Sequence, residues 1–441
     1  MLKKIKTYLS QLFSIKDVRN ILLFGIVMRL IMVFLFKSHT YLPDSYEFTF
    51  LTTRILNLNL IDYIGVRSPG YPILMALGLR QYPIIVLYQF CIGIITSILW
   101  YKTLLNLNFK TKYAFYITLF LSSFLHIYLY EISILAETLL LFFISLIFYI
   151  LSDNYLTDTS KNKNILMSLS IGYLVLVKPF FAFIPFIIYG FVVLKNFSFK
   201  KLIQPKISIV LTALFCYFGW SYLNKVNTGY FVSTTFYGLN KAQTCVYFAE
   251  NTTEEYKELA HIYAKHREIA IDESKDVAMS IWYAKEELMN ALEFDNFPDF
   301  SNYLGTYADV TISMNQNLYW NQVLFSWKEF WRDGEVLWKF LNLRNENYLG
   351  KIQMIWEVQK YILLGFKLFF VILLPFYVFR FFINKKITFE LIAVTVVFAA
   401  SVLQAIVTFG TNSRYSFPFE YLMIIVVFMF FEEVKNKNLK K

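Results

Sequence analysis

The chain has 441 residues, 57% of them hydrophobic, 20% aromatic and 17% charged, with a formal charge of +11. A mean hydropathy of +0.49 argues against a soluble domain and for a protein with several membrane helices. Three cysteines, with Cys91 and Cys216 inside apolar runs and Cys245 in a polar segment, exclude a disulfide framework.

At the N-terminus, Leu2, Ile5, Leu9, Leu12 and Phe13 share one helical face while Lys3, Lys4, Lys6 and Lys16 lie elsewhere. That pattern suits a helix resting on an anionic membrane surface, with a frayed basic tail as the plainer alternative. No small-residue cleavage site follows the first apolar run, so no removable signal peptide is expected.

A bilayer core of about 30 Å needs roughly 20 apolar residues in a helix. Such runs cover 20–36, 82–101, 113–130, 132–151, 164–178, 180–194, 205–223, 362–382, 388–409 and 415–431. The expected fold is therefore an all-α polytopic membrane protein with about ten transmembrane helices. With the N-terminus inside, the inner flanks carry 21 Lys and Arg, whereas the short outer flanks carry only Lys37, Arg54, Arg67, Arg80, Lys178 and Arg414. This bias places both termini in the cytoplasm. Asp44, Arg67, Glu137, Lys178 and Arg414 then fall at or near the outer ends of helices.

Three units are expected: a membrane module over 1–223 with an outer loop at 37–81, a polar subdomain over 224–360, and C-terminal helices with a basic tail over 361–441. The polar segment has 19 acids and 13 bases, and its helical apolar periodicity predicts a mainly helical extracytoplasmic subdomain. Trp320, Trp327, Trp331 and Trp338 are spaced to share one helix face, a pattern of packing first and of sugar or lipid stacking second.

Asp44 and Glu47 follow the first apolar run in "LPDSYEF", where Asp44 and Ser45 precede a helical pattern running to about Leu58. Taken alone, such an acid is a solvated loop charge or a helix N-cap. Arg29 lies inside the first span, where an unpaired charge is costly, so structural pairing is favoured over contact with a ligand. Glu137 has three readings: pairing with a base, binding a metal, or orienting Asp44. The four histidines are scattered, and no Walker loop or GxGxxG motif is present. The membrane accounts for the basic flanks, so no nucleic-acid partner is expected.

"PDSYEF" followed by "RSPGYPILMAL" resembles the first outer loop of the GT-C glycosyltransferases, in the branch of the protein O-mannosyltransferases and bacterial aminoarabinose transferases. "LAETLLLFF" is similar to that family's Glu motif, "VKPFFAFIP" to its basic-Pro motif with Lys178 where Arg is commoner, and "RYSFPFEYLMII" to its Arg-Tyr-x-x-Pro motif. The resemblance covers residues 1 to about 223 and 360 to 431.

It implies inverting transfer of a monosaccharide from a polyprenyl-phosphate-linked donor to a hydroxyl of a lipid- or polymer-linked acceptor outside the cytoplasm. A hydroxyl nucleophile needs a base, which assigns Asp44 the catalytic role, with Glu47 and Glu137 next in line. A leaving phosphate needs cations, which assigns Arg67, Lys178 and Arg414 to donor-phosphate binding and makes Arg29 and Tyr71 supporting residues. Each cation has a plainer reading too: Arg67 pins its loop, Lys178 reaches the headgroups, and Arg414 caps a helix. No cofactor is required, and a divalent metal between Asp44 and Glu137 stays open. A polymerase or ligase of lipid-linked glycans is the near alternative, and a transporter or lipid flippase the more distant one.

Overall fold

The computed structural model describes residues 14–195, 204–332, 338–410 and 413–438. The N-terminal amphipathic stretch therefore lies outside the described residues, except for its last few positions. The described chain is helical, and it contains no strand beyond two isolated β-bridges, Phe36 with Leu343 and Thr40 with Ser133.

The chain opens with α1 (Lys16–Leu35), and the first loop then forms α2 (Pro43–Leu56) and the short α3 (Gly70–Leu77). Pro43 opens α2, where its missing N–H costs nothing, and the Ser45 hydroxyl accepts from the Leu42 N–H at 2.9 Å. Next come α4 (Tyr82–Asn106), α5 (Thr111–Leu121), α6 (Leu125–Glu131), α7 (Glu137–Ser152), α8 (Lys161–Val177), α9 (Ile184–Lys195) and α10 (Ser208–Thr228).

Among the described residues, α1, α4, Pro205–Thr228, α17 (Asn347–Asn384) and α18 (Phe389–Val407) are long and apolar enough to cross a membrane. That makes five candidate spans, or six if α5 and α6 count as one. Ten were expected; α7 and Pro179–Lys195 are apolar but shorter.

The run expected as one span over 113–130 is bent by 61° between α5 and α6. Ser122 and Ser123 sit at the break, with the Ser123 hydroxyl donating to the Phe120 carbonyl. Gln359 staples the freed backbone, accepting from the Leu125 N–H at 2.6 Å and donating to the Ser123 carbonyl at 2.8 Å. Side chains that re-satisfy the backbone are what make a broken helix tolerable in an apolar core.

The polar segment folds as α11 (Tyr237–Gln243), α12 (Lys257–Asp272), α13 (Ser280–Tyr283), α14 (Lys285–Ala291), α15 (Phe297–Met314) and α16 (Gln316–Phe330). α15 starts where the Asn296 side chain accepts from the Asp299 N–H at 2.9 Å, with Pro298 in the first turn. Beyond it lie α17, α18, α19 (Ser413–Ser416) and α20 (Glu420–Asn438).

Two hydrophobic cores result, and each takes residues from both inside and outside 224–360. The larger core includes Phe330, Trp331, Leu343, Ile352 and Trp356, and α17 runs through residue 360 without a break. The smaller core joins Leu239, Val246, Tyr263, Ile281, Phe300 and Tyr307 to Leu51, Tyr63, Val66, Trp220 and Phe409 from outside the segment. The expected tryptophan stripe is also divided. Trp320 and Trp327 lie on α16, Trp331 caps it, and Trp338 begins a separate 3-10 turn. Trp327 donates to the Ser401 hydroxyl at 3.0 Å and Trp331 is buried, while Trp320 is exposed.

Candidate functional site

Three tethers bring Asp44 and Glu137 together although 93 positions separate them. The Thr40 N–H donates to the Ile132 carbonyl, the Ile134 N–H donates to the Thr40 carbonyl, and the Ser45 hydroxyl donates to the Ile134 carbonyl, at 2.9–3.0 Å. The chain ahead of α2 is thereby fixed against the chain ahead of α7. Asp44 is left in the first turn of one helix and Glu137 in the first turn of the other.

Arg67 arrives from the loop between α2 and α3. The Tyr63 hydroxyl accepts from the Arg67 N–H at 2.7 Å and donates to its carbonyl at 2.9 Å, so the loop closes on one ring. Gly65 within it has φ +75°, which only a residue without Cβ adopts freely. Beyond Arg67, the Pro69–Pro72 corner is set by contact: a Cβ on Gly70 would stand 2.5 Å from the Val177 backbone nitrogen. The corner therefore packs on the end of α8, next to Lys178.

The charges meet around Asp44. Arg67 Nη2 lies 2.9 Å from Asp44 Oδ1 and 3.4 Å from Glu47, and Arg414 Nη1 lies 3.0 Å from Asp44 Oδ2. Arg414 Nε is 2.5 Å from Glu137 Oε1. Each carboxylate oxygen of Asp44 thus faces a different arginine, and Arg414 bridges Asp44 to Glu137. Asp44 is 32% exposed, while Glu137 is buried. Burial pushes the Asp44 carboxyl up, but Arg67 and Arg414 outweigh it and hold the group well below the usual carboxylate range. The Arg67 Nε and Glu137 Oε2 atoms are buried and have no hydrogen-bond partner among the described residues.

Lys178 stands beside this cluster. Its Nζ lies 3.8 Å from the centroid of the Tyr415 ring, one residue along from Arg414. Asp44, Glu47, Arg67, Glu137, Lys178 and Arg414 come from five separate stretches of sequence and gather at one end of the helices. Arg29 and Tyr71 do not join them. Arg29 pairs with Glu131 at 2.5 Å, both buried, beside a small cavity also lined by Thr96, Ser97, Ser122 and Thr138. Tyr71 is buried and donates to Gln89 at 2.8 Å, and Gln89 in turn donates to the carbonyls of Glu131 and Ser133.

Another charged group was not singled out from the sequence. Glu420 lies 2.6 Å from His126 Nε2 and 2.9 Å from Lys367 Nζ, all three buried. Lys367 also donates to the Ser416 hydroxyl at 2.7 Å, two residues beyond Arg414, and to the Arg332 carbonyl at 3.0 Å. The signal was available: Lys367 and Glu420 are charges inside membrane-length apolar runs, which demand partners for the same reason as Arg29. Among the described residues, no three or more His, Cys, Asp or Glu side chains are grouped to hold a metal ion. Both carboxylates considered for that role face Arg414.

Comparisons with protein-family models, with curated proteins and with solved structures find no match for this chain.

Proposed function

We propose that this protein is an integral membrane glycosyltransferase of about ten spans, with both termini in the cytoplasm. It moves a monosaccharide from a polyprenyl-phosphate carrier to a hydroxyl of a lipid-linked glycan, lipid A, wall polymer or protein outside the cytoplasm. The observation that carries the reading is Asp44 held between Arg67 and Arg414, with Lys178 alongside. It combines a carboxylate for an acceptor proton with cations for a leaving phosphate. The motif resemblance supports the same chemistry.

In the reaction, the acceptor oxygen attacks the anomeric carbon as the bond from that carbon to the phosphate oxygen breaks. The hydroxyl proton passes to Asp44, polyprenyl phosphate leaves with the bonding electrons, and the anomeric centre inverts. Two bound arginines make Asp44 a weak base, because a base works best with a pKa near the operating pH. A phosphate placed between Arg67, Arg414 and Lys178 competes for the same donors. Donor binding thus frees the carboxylate when the base is needed. The arginine fork suits phosphate oxygens, and Lys178 adds a point charge.

The test is release of free polyprenyl phosphate from a panel of polyprenyl-phosphate sugars by purified protein, with Asp44→Asn in parallel. Release by wild type alone supports donor class and base together. Equal release by both removes Asp44 from the role. No release from any donor counts against the donor class. One observation favours the transporter alternative: the break between α5 and α6 lies close in sequence to Glu131, whose buried pair with Arg29 is a charge inside the helical core. Movement of labelled lipid or sugar across proteoliposomes without glycosyl transfer would select it.

A further inference from the structure

The polar subdomain holds the loops that carry the site. The Thr234 and Thr235 hydroxyls donate to the carbonyls of Val66 and Ile64 at 2.9 and 2.8 Å, and the Thr235 N–H donates to the Gly65 carbonyl at 2.9 Å. Three consecutive carbonyls just before Arg67 are thus bound by two consecutive threonines. The next residue, Phe236, places its ring 5.2 Å from the Arg67 guanidinium carbon, and Phe48 of α2 lies 4.9 Å from the same carbon. The planar cation lies against two aromatic rings, one from the loop's own helix and one from the subdomain.

The subdomain also reaches the Arg414 side. Phe409 sits in the smaller core and lies edge-on to Tyr247, and the Tyr319 hydroxyl donates to the Ile406 carbonyl at 2.9 Å. Phe236 itself is buried against Trp282 and Phe297 of the subdomain. A shift of this core would therefore move a ring that touches Arg67 directly.

We propose that Phe236 is a positioning residue which, together with Phe48, holds the Arg67 guanidinium on Asp44 and makes the polar subdomain a clamp on the site. Desolvated cation–π contact supplies the attraction, and the flat guanidinium face supplies the orientation. Arg67 can then turn from carboxylate to phosphate without leaving its slot. The groups facing the pair are Arg414 on Asp44, Glu47 on Arg67, Glu137 through Arg414, and Tyr63 beneath the loop. The clamp stands on contacts alone; its catalytic consequence rests on the glycosyltransferase reading.

A double-mutant cycle on the full-length protein in detergent tests it, using Phe236→Leu and Arg67→Met and reading the thermal midpoint. The two substitutions are expected to be non-additive by about 1–3 °C. Tyr307→Phe, which removes a hydrogen bond to the Ala249 carbonyl in the same subdomain core and keeps the ring, is expected to be additive with Arg67→Met. Additivity at Phe236 overturns the clamp. If Phe236→Leu does not fold, Phe236→Met enters the same cycle under the same criterion.

Where wild type releases polyprenyl phosphate, Phe236→Leu is expected to lower kcat about tenfold or more. It should also move the acid limb of the kcat/KM pH profile upward, because Asp44 of the free enzyme loses part of an arginine's hold, while Phe236→Tyr keeps the ring and restores both. An unmoved acid limb overturns the link to the base. Wild type without release defeats the glycosyltransferase reading, yet the thermal cycle still decides the clamp.

Discussion

Two kinds of charged cluster occur in this molecule, and they differ in closure. In the buried group of Lys367, Glu420 and His126, a lysine and a histidine divide the two oxygens of one carboxylate, and all three side chains are at most 3% exposed. Around Asp44 the arginines are 21% and 24% exposed and Asp44 itself 32%. A sealed group holds helices together, because exchanging its partners would strand a charge in a medium that cannot solvate it. A group that solvent reaches can exchange a carboxylate for a ligand. The contrast fits a structural role for the first cluster and, under the proposed function, a chemical one for the second.

The sharpest way to break this comparison is Asp44→Asn. Turnover is expected to fall by about 10²–10⁴-fold, the usual contribution of a general base, while the protein stays folded and monodisperse. Wild-type polyprenyl phosphate release by that variant would erase the distinction. At the sealed cluster the expectation reverses: Glu420→Gln should destabilise by about 3–5 kcal/mol by leaving Lys367 without its anion. The double variant with Lys367→Met should regain much of that loss, as seen in thermal unfolding.

Arg414→Lys is the next largest effect, expected at about 10- to 100-fold in kcat/KM, since lysine cannot face Asp44 and Glu137 with a fork. A smaller effect is expected for Lys178→Arg, which restores the commoner residue of the resembling motif and should alter donor KM by less than about tenfold.

The smallest effect is in stability against pH. The Asp44 carboxyl is depressed in the folded protein, so its contribution is present above the ordinary carboxylate range and is lost as pH falls through the lower folded value. Asp44→Asn should therefore be less stable than wild type near neutrality, and the two should converge in strong acid. A difference in unfolding midpoint that stays constant with pH would show that the arginines do not hold this group.

Legibility from sequence followed the range of the interactions. The helical class was readable because apolar runs and cap residues act over a few positions, and helices appear at every expected run. Their number as membrane spans was less readable, since the Ser122–Ser123 break depends on Gln359, more than 230 residues away. The acid and cations of the site were named from local motifs. Arg29 has the buried partner that a charge in an apolar run demands, Glu131, but which acid and which partner for Tyr71 no local motif records.

By itself, the sequence determined the apolar helices, the Pro-Gly-Tyr-Pro corner and the identities of Asp44, Arg67, Glu137, Lys178 and Arg414. The helices and the corner follow from apolar periodicity and backbone stereochemistry, and the five residues from the resemblance of their motifs to a known family. Only the tertiary structure decided that Asp44 divides its oxygens between two arginines, that Phe409 and Val66 join the core of the polar subdomain, and that Phe236 lies against Arg67. Such contacts join residues up to several hundred positions apart. The packing of whole helices sets them, and local patterning carries no record of it.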